Sequence, residues 1–545
     1  MKKNTFIEGA FISTFSILIC KIIGLLYVIP FYSLIGNKGG ALYSYAYSIY
    51  AIFLSLSTCG IPLAISKNIS EYNELGYHKA KNDVYKIGKY VILGLGLLSC
   101  LILLIFAPNI AYLIIGNVEG GNTIEDVSTA IRIVSLSLLI VPSLSVTRGY
   151  LNGHKMILPT SISEVLEQVV RVLVIVVGSF LTIKVFNLPT NVAVYIAVAG
   201  AGIGALVALI YLKLKLKRNK DAIVNESENE PEYRKKDILK KIVLYALPFV
   251  VIDLIRSAYG MVDSFTVVKT MVNLGYDVSV AETTIGVLST WATKLNMIVA
   301  SVALGFVTSL IPNIAGSAAK KDLKDVNNKI NESYKTLLFV VLPMTIGLSF
   351  LAQPVWVAFY GYNSLSIGIF KYYILQAIIF CVYTIALNLA QSMNQSKISL
   401  GSLLVSFLLK VVLNIPMMKL FVMMGIEAYY APIITNILVQ GSITLFIMLA
   451  LKHKFKFDYK DTTKAILKMI LTLTIMVLIL SGLSLIIPLT VTSRLKAILT
   501  IIPYILVGAA IYIGMSYKIG LLNDIFGAKK IKAIINKVKS KITKK

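Results

Sequence analysis

The stretch YVILGLGLLSCLILLIFAPNIAYLII, residues 90–115, contains no charged side chain. About 20 apolar residues are enough for a helix to cross the hydrocarbon core of a bilayer, so this stretch predicts a transmembrane helix. Comparable stretches recur along the chain, and we count fourteen of them in its 545 residues. With 57% hydrophobic and only 14% charged residues, the composition excludes a water-soluble protein. The predicted fold class is an all-α polytopic membrane protein with about fourteen transmembrane helices.

Lysine and arginine residues occupy alternate loops between these spans. Cations follow the second, fourth, sixth, eighth and twelfth spans, whereas loops such as 116–126 and 360–366 contain none. Because cytoplasmic loops of membrane proteins are enriched in lysine and arginine, both termini and every even-numbered loop are predicted to be cytoplasmic. The formal net charge of +27 follows this loop pattern. We therefore expect a multi-pass protein of the cell membrane that does not bind nucleic acid.

The longest hydrophilic break divides the first twelve spans into six and six. A weak repeat supports the division, since LNGHKM at 151–156 recurs as MNQSKI at 393–398. Both copies fall on predicted cytoplasmic loops, which indicates two parallel repeats in a pseudo-twofold arrangement. The predicted parts are an N-terminal lobe (1–215), a cytoplasmic linker (216–241), a C-terminal lobe (242–452), a pair of further spans (453–518) and a basic amphipathic cytoplasmic tail (519–545).

Several charged side chains lie inside the apolar spans. A charge at mid-membrane costs roughly 2.5–3.5 kcal/mol on insertion scales, so such residues usually face a polar cavity. Lys21 and Lys294 lie near the middle of the first and eighth spans and have no carboxylate three or four residues away. Together with Arg256 in the seventh span, they are predicted to line a cavity. Because the charges are mostly cationic, we expect an anionic cargo.

Two groups of these charges also have a structural interpretation. Arg256 can share a helix face with Asp253 and Asp263, either as a neutralised cluster or as a cation that is released to a substrate phosphate. Glu167 and Arg171 are four residues apart, which predicts an ion pair that serves either packing or transport. The residues predicted to set the cavity charge or to couple transport are Asp253, Asp263, Glu164, Glu167, Arg171 and Lys410.

Sequence motifs of catalysis are absent. The dipeptide Gly88-Lys89 is followed by Tyr90 and lacks the upstream glycine of a P-loop. The three histidines lie in loops without metal-ligand spacing, and the four cysteines have no paired spacing. We therefore predict a transporter rather than an enzyme, with no cofactor and no metal site.

A family resemblance rests on GIPLAISK at 60–67, RGYLNGH at 148–154 and EQVVR at 167–171. These segments resemble the YtgP and SpoVB group of bacterial polysaccharide biosynthesis proteins, in the multidrug/oligosaccharidyl-lipid/polysaccharide exporter superfamily. The length and the predicted spans are most similar to its lipid II flippases of the MurJ type. The resemblance implies a V-shaped pair of six-helix lobes, with two extra helices that offer a groove for a polyprenyl tail.

The resemblance also implies a substrate and a site. Such flippases move undecaprenyl-pyrophosphate-linked peptidoglycan precursor, lipid II, from the inner to the outer leaflet by alternating access. Asp263, Lys294, Arg171 and Lys410 stand where YtgP-like sequences carry the same charges, whereas Lys21 replaces an arginine. The expected partners are lipid II and membrane lipids, with Na+ or H+ coupling left open, and we expect a monomer.

Three alternatives remain open from the sequence. The chain could export another lipid-linked oligosaccharide or polysaccharide unit, including one of the spore wall. A multidrug cation antiporter of the same superfamily would need a carboxylate-rich cavity, which the excess of cations in the spans disfavours. A membrane-embedded cell-wall glycosyltransferase would need larger outer loops than this chain has.

Overall fold

The structure of the chain is a computed structural model, which describes residues 6–58, 60–116, 121–218, 234–319, 322–393 and 395–527. These ranges are helical almost throughout and contain no strand. Twelve of their helical segments are long and apolar enough to cross a membrane, judged by length and composition. The predicted all-α polytopic membrane fold is therefore confirmed, whereas the number of fourteen spans stays a prediction.

The first and seventh predicted spans are helical but are not among the twelve. The first falls largely on α1 (Phe6–Leu26), in which the described apolar segment, Phe15–Leu26, is shorter than a membrane span. The seventh falls on α9 (Lys235–Asn273), which carries three charged side chains in its middle. For α9, the charges that suggested a cavity are thus the same ones that make the helix less apolar.

The helices form two compact units, of which the first ends at Trp291. Besides α1 and α9, its helices are α2 (Val28–Thr58), α3 (Gly60–Glu74), α4 (His78–Ile115), α5 (Ile124–Ser135), α6 (Val141–Gly153), α7 (Ile157–Phe180), α8 (Thr190–Arg218) and α10 (Val278–Gly286). A π-helical turn follows α7 at Leu181–Val185, and another follows α10 at Val287–Trp291.

Small residues bring α7 and α8 close together in this unit. A Cβ on Gly204 would lie 2.6 Å from the backbone oxygen of Glu167, and one on Gly200 would lie 3.2 Å from that of Arg171. Glycines four residues apart on one helix face allow two backbones to approach in this way. The close packing fixes the part of α7 from which Glu167 and Arg171 project.

The second unit begins at Ala292. Its helices are α11 (Ala292–Ala319), α12 (Leu323–Phe350), α13 (Ala352–Tyr360), α14 (Ser364–Tyr373), α15 (Gln376–Ser392), α16 (Ser396–Met423), α17 (Ala431–Phe455), α18 (Lys460–Ile486), α19 (Arg494–Lys518) and α20 (Leu521–Phe526). Asn331 ties α18 to α12, because its Nδ2 donates to the Asp458 carbonyl at 2.8 Å and its Oδ1 accepts from Thr462 Oγ1 at 2.6 Å.

The predicted division into lobes stays a prediction. Residues 219–233 of the predicted linker and 528–545 of the predicted tail lie outside the described residues. The two helices that follow the linker belong to the first compact unit, where α9 packs on α2, α3 and α4, and α10 packs on α2 and α9.

Candidate functional site

Lys21 lies on the part of α1 that packs beside α7. The hydroxyl of Ser16 is within hydrogen-bond distance of Glu164 Oε2 (3.2 Å) and of the Ser161 carbonyl (3.1 Å), which fixes the two helices together. Lys21 itself is half-buried. Within the described part of the chain it forms no hydrogen bond or ion pair. Lys21 therefore forms no ion pair with Glu164.

Glu167 pairs with Arg148 of α6 rather than with Arg171. Arg148 Nη2 lies 2.8 Å from Glu167 Oε2, and Arg148 Nε donates to Ser163 Oγ at 2.8 Å. The predicted pair between Glu167 and Arg171 is therefore wrong. Glu167 and Arg171 do lie four residues apart on α7, but Arg148 of α6 lies against the Glu167 carboxylate instead. The ion pair joins α6 to α7.

Arg171 is held by tyrosines of α2. Its Nη2 donates to Tyr47 Oη at 2.6 Å and to Tyr43 Oη at 3.4 Å, and its guanidinium carbon lies 5.0 Å from the centre of the Tyr47 ring. The Tyr43 and Tyr47 rings are stacked, with centres 5.5 Å apart. A guanidinium over an aromatic face gains cation–π attraction. These partners are uncharged, so the positive charge is retained in the helix bundle.

The three charges of α9 do not form the expected cluster. Arg256 is exposed, while Asp253 and Asp263 are half-buried. Neither carboxylate forms an ion pair with Arg256, and no other described residue does. Arg256 therefore forms no ion pair among the described residues, and the role of the three charges stays a prediction.

The remaining two predicted site residues belong to the second unit. Lys294 is half-buried on α11. Lys410 is fully buried on α16, where its Nζ donates to the Pro432 carbonyl of α17 at 3.2 Å. Ser406, one turn before Lys410, is buried as well, with its Oγ 3.0 Å from Tyr383 Oη. Lys410 therefore lies in a polar seam inside the helices of this unit.

One contact that the sequence did not predict joins α3 to α9. Lys241 Nζ lies 2.8 Å from Glu71 Oε1, and each side chain is 41% exposed. Lys67 Nζ lies 4.1 Å from the centre of the Tyr245 ring. A Cβ on Gly60 would collide with the backbone carbonyl of Ala246, so the helices approach as closely as glycine allows. We call this set the α3–α9 contact.

Comparison with known proteins decides the family. The model of the family "Polysaccharide biosynthesis protein" matches residues 6–318. The chain belongs to this family. The lipid II flippase MurJ of Bacillus subtilis (strain 168) is 31% identical to it over 532 residues, which cover 96% of each chain. Stage V sporulation protein B of the same organism is 27% identical over 177 residues, 32% of this chain and 33% of that one.

Solved structures share the fold of this polysaccharide biosynthesis protein. The inward closed conformation of the lipid II flippase MurJ matches with a TM-score of 0.67 and 17% identity, covering 94% of this chain and 99% of that one. An inward-facing multidrug resistance MATE family transporter of the MOP superfamily matches with a TM-score of 0.64 and 14% identity, covering 80% and 95%. At these identities the likeness shows the fold alone.

Family membership confirms several predictions. The resemblance to the polysaccharide biosynthesis transporters was correct, and the relatives are flippases and transporters rather than enzymes. The chain is a multi-pass membrane transporter of the MurJ type.

Proposed function

We propose that this chain is a flippase that moves lipid II from the inner to the outer leaflet of the cell membrane. The observation that carries the proposal is the 31% identity to the lipid II flippase MurJ over 96% of both chains. The match extends over nearly the whole length of both chains. Peptidoglycan synthesis is then the process that consumes the product.

Lys21, Arg256 and Lys294 are proposed to attract the pyrophosphate of the lipid. Support for Lys21 and Arg256 comes from their lack of a described counter-ion. A cation that is not already paired loses no ion pair when it binds a phosphate, and charge-assisted hydrogen bonds to phosphate are about twice as strong as neutral ones. Asp253, Asp263, Glu164, Glu167, Arg171 and Lys410 are proposed to set the charge of the surrounding cavity.

The transport cycle is proposed to be alternating access between two lobes, residues 1–215 and 242–452, which the linker 216–241 connects. Both termini would be cytoplasmic, as the loop cations indicate. The protein would work as a monomer. Coupling to Na+, to H+ or to the membrane potential would act through the carboxylates of α9.

Lipid II externalisation tests the proposal directly. Cells depleted of their own lipid II flippase and supplied with this chain should expose lipid II on the outer leaflet and grow. Lys294→Ala should abolish externalisation while leaving the amount of membrane-inserted protein unchanged. Lys184→Ala, which removes an exposed lysine just after α7, is the matched control and should flip normally. Normal flipping by Lys294→Ala would remove this residue from the site.

A second candidate is export of another lipid-linked oligosaccharide, which the similarity to stage V sporulation protein B favours. The two functions differ in the cargo and share the pyrophosphate. Growth rescue without lipid II externalisation, or externalisation of a different lipid-linked glycan in the same cells, would support this candidate instead.

A further inference from the structure

A buried carboxylate holds three segments of the first unit together. Glu282 of α10 is 4% exposed, and its Oε1 accepts hydrogen bonds from the backbone N of Asn122 at 2.6 Å and from Asn122 Nδ2 at 2.8 Å. Asn122, also 4% exposed, lies just before α5, and its Nδ2 is 3.1 Å from the Lys38 carbonyl of α2. One glutamate oxygen thus joins α10 to the start of α5 and, through Asn122, to α2.

Glycines make this contact sterically feasible at two independent places. A Cβ on Gly121 would lie 2.6 Å from Glu282 Oε1. A Cβ on Gly40 of α2 would collide with the indole ring of Trp291, at the end of the π-helical turn that follows α10. A side chain at Gly121 would displace the Glu282 carboxylate, and one at Gly40 would displace the Trp291 ring. The docking of α10 therefore depends on close approach as well as on hydrogen bonds.

Among the described residues, the charges around Glu282 are few. Lys38 of α2 attracts its carboxylate, whereas Asp126 of α5 repels it. The Glu282 carboxylate also interacts electrostatically with Tyr45 of α2. The buried Tyr45 hydroxyl has no hydrogen-bond partner among the described residues. From α9, Lys269 lies over the Tyr112 ring, with its Nζ 5.5 Å from the ring centre. At the start of α10, Asp277 is exposed.

The strength of the contact depends on the charge of Glu282. Hydrogen bonds to an ionised carboxylate are about twice as strong as those to a neutral group. A protonated Glu282 would keep an acceptor oxygen but would lose the charge-assisted part of both bonds to Asn122. Protonation therefore weakens the attachment of α10 to α2 and α5.

We propose that Glu282 and Asn122 form a latch that closes one end of the first unit, and that protonation of Glu282 releases it. In the topology predicted from the loop cations, this end faces the outside of the cell. One part of this inference rests on the proposed function, namely that release of the latch opens the transporter to the outside of the cell. The latch itself is a property of the protein without substrate.

Spin-label distances test the latch without substrate. The native cysteines are replaced by serine, and labels are attached at Leu188→Cys and Ser279→Cys, two exposed positions on the predicted outer side. Distances in lipid nanodiscs are measured at pH 7.5 and pH 5. At pH 7.5, Glu282→Gln should raise the long-distance fraction roughly tenfold over the unsubstituted protein. At pH 5, the unsubstituted protein should approach Glu282→Gln, which should itself not respond to pH.

Glu125→Gln is the matched control, because it removes an exposed carboxylate three residues after Asn122 and leaves the latch intact. It should behave as the unsubstituted protein at both pH values. Equal distance distributions for Glu282→Gln and the unsubstituted protein at pH 7.5 would refute the latch. A pH response that persists in Glu282→Gln would show that the group that titrates is not Glu282. A protein that flips no lipid II but shows these distance changes would fail the proposed function and still support the latch.

Discussion

The two ends of the α9–α10 segment are attached to the first unit in different ways. At the α3–α9 contact, the ion pair between Lys241 and Glu71 is 41% exposed on both sides, and the close approach is between backbones. At the latch, the Glu282 carboxylate is 4% exposed and is held by an amide. Exposed ion pairs contribute about 0–1 kcal/mol, whereas a buried charge depends strongly on its hydrogen bonds. The difference indicates that buried polar contacts add to close approach at the latch, whereas steric fit alone secures the α3–α9 contact.

The largest effect is expected from Asn122→Ala. It deletes the side-chain donor to Glu282 and leaves a buried carboxylate with fewer partners, which costs about 3 kcal/mol of closing free energy. The labels at positions 188 and 279 should move apart. A second label pair at Lys86→Cys and Lys240→Cys, exposed positions on α4 and α9, should not respond. Asn273→Ala, at an exposed asparagine, is the control, and an equal response from it would show that the effect is not specific to the latch.

The next largest effect is expected from Gly60→Ala at the other end. The new methyl group would collide with the Ala246 carbonyl, which belongs to the backbone and cannot change rotamer as a side chain can. Overpacking of this kind costs about 2 kcal/mol. The label pair at positions 86 and 240 should separate, while the outer pair keeps its distance. Gly94→Ala, whose Cβ would meet nothing within 4 Å, is the control. If Gly60→Ala left the inner distance unchanged, steric fit would not be what secures the α3–α9 contact.

A smaller effect is expected from Glu71→Gln. The exposed pair with Lys241 should contribute less than about 1 kcal/mol, so the inner label distance should change little. Lys241→Gln should cost more, because the Lys241 ammonium also lies 4.9 Å from the centre of the Tyr72 ring. A double-mutant cycle on the inner label distances gives the coupling between the two charges. A coupling energy above about 2 kcal/mol would show that a polar contact stabilises the α3–α9 contact as well as the latch. The difference between the two ends would then disappear.

The smallest effect is expected from salt. Raising the ionic strength from 0.1 to 1 M shortens the Debye length from about 10 to about 3 Å, which screens exposed charges far more than buried ones. The inner label pair should lengthen slightly, and the outer pair should stay constant. A salt response confined to the outer pair would contradict the assignment of the buried charge to the latch.

The sequence was sufficient for the fold class and the family, because both depend on local patterns. Uncharged stretches such as residues 90–115 predict helices in a membrane whatever their neighbours are, and α4 contains that stretch. Segments such as RGYLNGH at 148–154 carried the family resemblance without any knowledge of contacts.

The partners of the charged residues could not be predicted in the same way. The spacing of Glu167 and Arg171 predicts a pair only if no other helix competes, and Arg148 and Tyr47 come from α6 and α2. Glu282 was not identified as a candidate, because its partner Asn122 is 160 residues away in the chain. The cluster of tyrosines at 43, 47 and 50 was visible in the sequence, and its spacing could have suggested that the tyrosines hold a cation.

Lys410 places a restriction on how the second unit can deform. Its ammonium is enclosed between α16 and α17 and donates to the Pro432 carbonyl. If α16 slid by one turn along α17, about 5.4 Å, the buried ammonium would lose its hydrogen bond to that carbonyl, and a buried charge depends strongly on its hydrogen bonds. Relative translation of these two helices is therefore disfavoured.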